Sequence, residues 1–229
     1  MKNNFDLAAT WRTIQGEILY QYHYLAMRTA RWRVEGKANI TLARANGRPL
    51  LFAFWHGQTA LFIMYGHRFF DATNFTMIAV GDERHHVLGH LGSRIGAQSY
   101  AVDMGGNPVA SGRAILHVIK AMKRGRDSFI APDGPDGPVY EPKPGVVFLA
   151  QKAEANVIPV GLWSQQAIQR RRWDNYLFPY PLARVTAVFG PPILVNKEDD
   201  SDTLMSQITE ALHAVRTRAQ ELAGIIPWQ

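Results

Sequence analysis

The run Leu50-Leu51-Phe52-Ala53-Phe54-Trp55 is apolar at every position, and residues 75–80 and 157–162 are nearly so. A strand with one wet face alternates apolar and polar residues, whereas one that is apolar throughout is covered on both faces. The stretches between these runs carry apolar residues at three- and four-residue steps, the period of a helix packed on one side. Strands are expected at residues 50–55, 75–80, 98–103, 128–131, 157–162 and 185–189, with helices starting near His56, His85, Pro108 and Val147. The β-α-β-α order implies an α/β fold: a largely parallel, mixed sheet flanked by helices, with ligands at the carboxyl ends of its strands.

The two ends of the chain read as amphipathic helices. The first places Trp11, Ile14, Ile18, Tyr22 and Leu25 on one stripe; the last does so with Leu204, Ile208, Leu212, Val215, Ala219 and Leu222. Ser201 and Asp202 offer capping oxygens in front of the last helix. No low-complexity linker or tandem repeat breaks the chain. Residues 1–229 are therefore expected to form a single domain, with an N-terminal helix over 1–33, an α/β core over 34–194 and a C-terminal helix over 201–223.

Composition removes several function classes. With 47% hydrophobic and 19% charged residues the chain can bury a core. It has no cysteine, which excludes disulfides, thiolate metal sites and cysteine nucleophiles together and suits a reducing compartment. No signal peptide is expected from residues 1–6, and no apolar run approaches the about 20 residues of a spanning helix. The net charge of +6 points to an anionic partner, whether phospholipid surface, phosphorylated substrate or nucleic acid. Nucleic acid is the least expected of these. Arg170-Arg171-Arg172 is the only tight basic run and reads as a solvated loop, and no basic stripe interleaved with aromatics lies beyond the first helix.

The chemistry-bearing residues begin with His56, in Phe54-Trp55-His56-Gly57-Gln58, where the first strand runs out into a helix. A helix start disfavours imidazolium, so His56 should be neutral and able to take a proton. A histidine at a strand end can equally be a hydrogen-bonded structural residue, and position alone does not separate the two. The second feature is the apolar strand that runs into Ala131-Pro132-Asp133-Gly134-Pro135-Asp136-Gly137-Pro138. A plain turn needs one Asp-Gly-Pro unit; two, with φ fixed by proline and close approach allowed by glycine, hold a carboxylate in one place. Gly145-Val146-Val147-Phe148-Leu149-Ala150 then opens a helix, and Asn156-Val157-Ile158-Pro159-Val160-Gly161 returns as a strand whose proline marks an edge, a bulge or a special backbone site. His85, His86 and His90 could set two imidazoles one turn apart, but no acidic third ligand accompanies them, and a polar helix face explains them.

Taken in order from about Val34 to Ile193, these segments resemble the PlsC-like (lysophospholipid acyltransferase-like) superfamily, and most closely its bacterial DUF374 branch with a Pro-Asp-Gly-Pro motif. The family's first motif, His-x-x-x-x-Asp, matches at His56. Its third aligns with Ala131 to Asp136 and sets Asp133 on the family's glutamate. Its downstream Gly-x-x-x-Leu-Ala matches Gly145, Leu149 and Ala150, and its fourth matches the strand around Pro159. Trp173-Asp174 is similar to a Trp-Asp segment of the same branch, with no chemical role assigned. Two departures stand out. The first-motif aspartate falls on Leu61, and the phosphate-gripping arginines of the second and third motifs are replaced, at Val102-Asp103-Met104-Gly105-Gly106-Asn107 and at Asp136.

The resemblance implies a glycerol-3-phosphate acyltransferase-like fold and transfer of an acyl group from a thioester carrier, acyl-CoA or acyl carrier protein, to a hydroxyl of a lipid or lipid-like acceptor. No metal or other cofactor is implied. His56 is the expected general base, and its ring is expected to be held by Asp133, or failing that by Asp103, since Leu61 cannot accept a proton. Trp55, Gln58, Asp103, Gly105, Gly134, Pro135, Asp136, Gly137 and Pro159 are the expected substrate-binding positions. Amides near Gly134 would meet the oxyanion, and Phe52, Phe54, Leu61 and Phe62 would line the acyl chain. The missing arginines argue against a glycerol-phosphate acceptor. The chain is expected in the cytoplasm, attached peripherally to the inner membrane by its first helix. The alternative is a lipid-binding homologue that has lost catalysis.

Overall fold

The computed structural model describes residues 7–80, 92–102, 108–170 and 172–224. They build one seven-stranded sheet with helices on both faces. Its strands are β1 (Arg31–Glu35), β2 (Leu50–Ala53), β3 (Phe75–Val80), β4 (Gln98–Val102), β5 (Asp127–Ile130), β6 (Asn156–Trp163) and β9 (Arg184–Phe189). Their order is β1-β9-β6-β2-β5-β3-β4; β7 (Ala167–Gln169) and β8 (Leu177–Pro179) pair as a separate hairpin. Every adjacent pair in the large sheet is parallel except β6 with β9. The α/β class and the largely parallel sheet expected from the apolar runs are what the chain forms.

Alternate residues of the 50–55 run face opposite layers. Leu50, Phe52 and Phe54 pack with residues of α1 (Leu7–Thr29), α2 (Ala38–Ala43) and α3 (Thr59–Phe69). Leu51, Ala53 and Trp55 pack with α4 (Pro108–Lys123), α5 (Gly145–Ala153) and α6 (Ser201–Leu222). Each of these large side chains gains about 1.5–3 kcal/mol on burial, which fixes the run at the centre of the sheet. The start of β2 is pinned by Asp127, whose carboxylate accepts the Leu50 N–H at 2.9 Å and pairs with Arg44. β2 lies between β5 and β6, and the chain leaves it towards β3 on one side while β5 leads to β6 on the other. A crevice opens where successive connections diverge in this way, at the carboxyl end of β2.

α6 buries the stripe expected of it, Leu204, Ile208, Leu212, Val215 and Ala219. Its cap is Asp200, which accepts the Thr203 N–H at 2.8 Å, one residue ahead of the expected Ser201. A Cβ on Gly161 would stand 2.0 Å from the Val215 carbonyl oxygen, so glycine there lets α6 lie against β6.

α1 departs from expectation. It ends at Thr29, and the charged alternation Arg31-Trp32-Arg33-Val34-Glu35 becomes the edge strand β1. Of the stripe expected on it, Trp11, Ile14, Ile18 and Leu25 face outward, each 44% or more exposed, while Tyr22 packs against the core. Ala26 and Met27 are buried instead, with Ala30 just past the end of the helix, and Ala26 lies opposite Ala60, Ile63 and Met64 of α3. No described helix is long and apolar enough to cross a membrane.

Candidate active site

β2 stops at Ala53, and residues His56–Gln58 make a single 3-10 turn before α3. The backbone N–H of His56 donates to Asp133 Oδ1 at 2.8 Å, and the N–H of Tyr140 to Asp133 Oδ2 at 3.2 Å. Asp133 is fully buried. Burial pushes its carboxyl above the ordinary aspartate range, and the two N–H bonds draw it part of the way back. The rest of the loop closes on itself, with Gly134 N–H on the Ala131 carbonyl at 3.1 Å and Gly137 N–H on the Asp133 carbonyl at 3.0 Å. Both Gly-Pro bonds, 134–135 and 137–138, are cis. Asp133 therefore fastens the double turn to the end of β2.

The His56 ring is held by a different carboxylate. Nδ1 lies 2.8 Å from Asp174 Oδ2, and Asp174, in the connection between β7 and β8, is buried. This corrects the assignment of the ring to Asp133 or Asp103: Asp133 bonds the His56 main chain, not its imidazole. Leu61, at the position where the resemblance implies an orienting aspartate, is a fully buried core residue. With Nδ1–H donated to Asp174, the Nε2 lone pair is left open, the tautomer a base requires. Nε2 has no partner among the described residues, and the His56 side chain keeps 25% of its surface exposed.

The walls of this pair are aromatic. The Trp173 ring lies 5.1 Å from the imidazole, and that of Tyr176 6.2 Å. Burial first, and the Asp174 charge second, push the Tyr176 phenol up to about 12, so it adds a neutral wall and no second charge. The other carboxylate oxygen, Asp174 Oδ1, is buried without a hydrogen bond; the Arg172 guanidinium lies 3.5 Å away.

Three glycines make the fit. A Cβ on Gly57 would stand 2.2 Å from the Asp174 carbonyl oxygen, one on Gly134 2.7 Å from His56 Cδ2, and one on Gly137 2.7 Å from the Trp173 ring. The double Asp-Gly-Pro turn is thus shaped to the histidine and to the Trp-Asp loop together. This is why both of its glycines are needed.

Other expected positions fall elsewhere. Trp55 is fully buried on the opposite layer, against Tyr140 and His213 at 5.4 and 5.1 Å. Gln58 is buried and spends Oε1 on the Leu162 N–H at 3.2 Å. Pro159 is buried where β9 gives out, its carbonyl taking the Gly190 N–H at 2.9 Å. All three side chains are buried in the core or against the sheet. Pro135 is half-buried and Asp136 exposed, in the turn beside Gly134. The Gly134 and Gly137 amides are engaged within the turn, so neither is free for an oxyanion. Asp103, Gly105, His85, His86 and His90 lie outside the described residues. Among the described residues no group of three or more acids and histidines is placed to hold a metal ion.

Two apolar clefts flank α3. One is lined by Phe62, Ile63, Phe75, Met77 and Phe129 and encloses about 520 Å³ counting space open to solvent. The other, between α1 and α3, includes Ala60, Ile63 and Tyr176 and so adjoins the His56 wall. Of the four residues expected to line an acyl trough, only Phe62 reaches a cleft; Phe52, Phe54 and Leu61 are sealed in the core.

No family model matches the chain. It is similar to an uncharacterized protein of Rickettsia prowazekii (strain Madrid E), with 25% identity over 150 residues that cover 65% of each chain.

Proposed function

We propose that the chain is an acyltransferase of the PlsC-like type, moving an acyl group from a thioester carrier to a hydroxyl acceptor with His56 as general base. The observation that carries this reading is the His56–Asp174 pair: a ring fixed at Nδ1, open at Nε2, and half-sheltered at the carboxyl end of β2. Nε2 removes the acceptor's proton as its oxygen attacks the thioester carbonyl. Asp174 stabilises the imidazolium that results, and the departing thiolate takes the proton back. Oxygen gains the acyl group, sulfur loses it, and the enzyme ends unchanged. The apolar clefts along α3 suit the acyl chain.

The exposed Trp11, Ile14, Ile18 and Leu25 stripe of α1 supports peripheral attachment to a membrane surface on the cytoplasmic side, which the net charge of +6 would strengthen on anionic lipid. The experiment is to incubate the protein with a long-chain acyl-CoA and lysolipid or alcohol acceptors and follow thiol release and ester formation by mass spectrometry. Ester formation that disappears in His56→Ala supports the reading. Thioester left intact, with lipid still bound, supports the binding homologue instead.

A further inference from the structure

β1 and β9 begin with arginines that stand side by side. In their parallel register Arg31 is paired with Arg184, and Arg33 follows two residues on, on the same face. Like charges in direct register on a sheet repel one another. All three are exposed, and together with Gln165, Gln166 and Thr186 they line an open groove of about 1100 Å³, counting space open to solvent, beside the carboxyl end of α6. The acid of the same strand, Glu35, is occupied by Arg218 through two bonds of 2.9 Å. Arg33 reaches the Leu222 carbonyl at 3.3 Å, at the negative end of α6. Arg31 and Arg184 have no carboxylate within ion-pair distance among the described residues.

We infer that this groove is a binding site for a phosphate-bearing anion, gripped by Arg31 and Arg184 with Arg33 beside them. Two guanidinium forks on neighbouring strands, about 5 Å apart at the backbone, match the oxygens of one phosphate group or of a phosphate pair. A ligand charge there removes the repulsion that the register imposes. Gln165 and Gln166 are already fixed, by bonds to the Ala223 carbonyl at 2.7 Å and from the Arg184 N–H at 2.8 Å, so the rim is rigid. The groove is separate from the His56 pair: it spans β9 and β1, the second and third strands from β2 and so roughly 10 and 14 Å across the sheet, and none of its lining residues touches His56. The inference therefore stands without the acyl-transfer reading.

The shared chemistry is phosphate, and its source is either a soluble molecule or a lipid headgroup. The test is calorimetric titration with inorganic pyrophosphate, alongside co-sedimentation with phosphatidylglycerol-containing vesicles and with phosphatidylcholine alone. The proteins are the full chain, the pair Arg31→Gln with Arg184→Gln, and the pair Lys120→Gln with Arg124→Gln, which removes the same charge elsewhere. Saturable binding is expected for the wild type and the Lys120/Arg124 pair, weakened about tenfold or more in the Arg31/Arg184 pair. Loss in the titration assigns a soluble phosphate; loss only on vesicles assigns a headgroup. Arg31→Lys with Arg184→Lys keeps the charge and the fold, and its binding should fall between. Lysines that bind as well as the wild type, equal loss in both glutamine pairs, or no saturable binding to either probe would overturn the site.

Discussion

Replacing Asp174 by Asn changes one atom in the site and reverses the histidine's role. The amide nitrogen, 2.8 Å from Nδ1, would donate where the carboxylate accepts. The ring then carries its proton on Nε2 and cannot take one from an acceptor hydroxyl. The carboxylate is also lost as partner to the imidazolium. Loss of the correct tautomer and of the imidazolium's partner removes general-base catalysis, which should cost on the order of 10²–10⁴ in turnover. Asp133→Asn makes the contrasting case. One of its two N–H acceptors becomes a donor facing the Tyr140 or His56 amide, which should cost about 1–3 kcal/mol of stability and affect turnover mainly by loosening the turn. Thiol-release kinetics and urea unfolding of both variants separate the roles. Near-normal turnover in Asp174→Asn, with Asp133→Asn inactive yet fully stable, would refute the assignment.

Three further outcomes follow from the same geometry. Gly134→Ala should keep the fold but push the imidazole aside, since its Cβ would meet Cδ2 at 2.7 Å; a loss of roughly 10² in turnover is expected, and an unchanged rate would show that the ring has room. His23, stacked on His67 with Nε2 3.2 Å from its Nδ1, is lowered to about 4, by burial first and by His67 second. Its unfolded form binds protons at higher pH than the native form. Stability is therefore full above about 6.5 and falls as pH drops towards about 4, by on the order of 3 kcal/mol; urea unfolding across that range should show the slope, and His23→Leu should flatten it. Trp11→Ser with Ile18→Ser should abolish vesicle binding with stability within about 0.5 kcal/mol of wild type, and unaltered vesicle binding would detach α1 from that role.

The sheet was legible because its central strands are apolar on both sides, and residues 50–55 can satisfy such a pattern only between two helical layers. His56 was legible for the same reason, as the first polar residue after that run. Its partner was not. Asp174 is 118 positions away, on a connection between three-residue strands too short to show a period. The available signal was the Trp173-Asp174 dipeptide followed by Asn175, which takes a positive φ of 50°; it marks a tight turn but not what the turn faces. Asp133 misled because the turn that holds it rigid does so by spending both carboxylate oxygens on main-chain N–H groups. In α1 the large apolar residues set the periodicity, but the buried residues of the helix include Ala26 and Met27, which that stripe does not contain. β1 carried a legible alternation, overridden by extending the helix through residue 33.

The state of the His56 ring tests the whole account most directly. Nitrogen-15 NMR of the wild-type protein, with His56 assigned through His56→Gln, reports which ring nitrogen carries the proton in the neutral form. Protonated Nδ1 and bare Nε2 are expected, with Asp174→Asn switching the proton to Nε2. A wild-type ring protonated at Nε2, or one whose tautomer ignores Asp174→Asn, would contradict it.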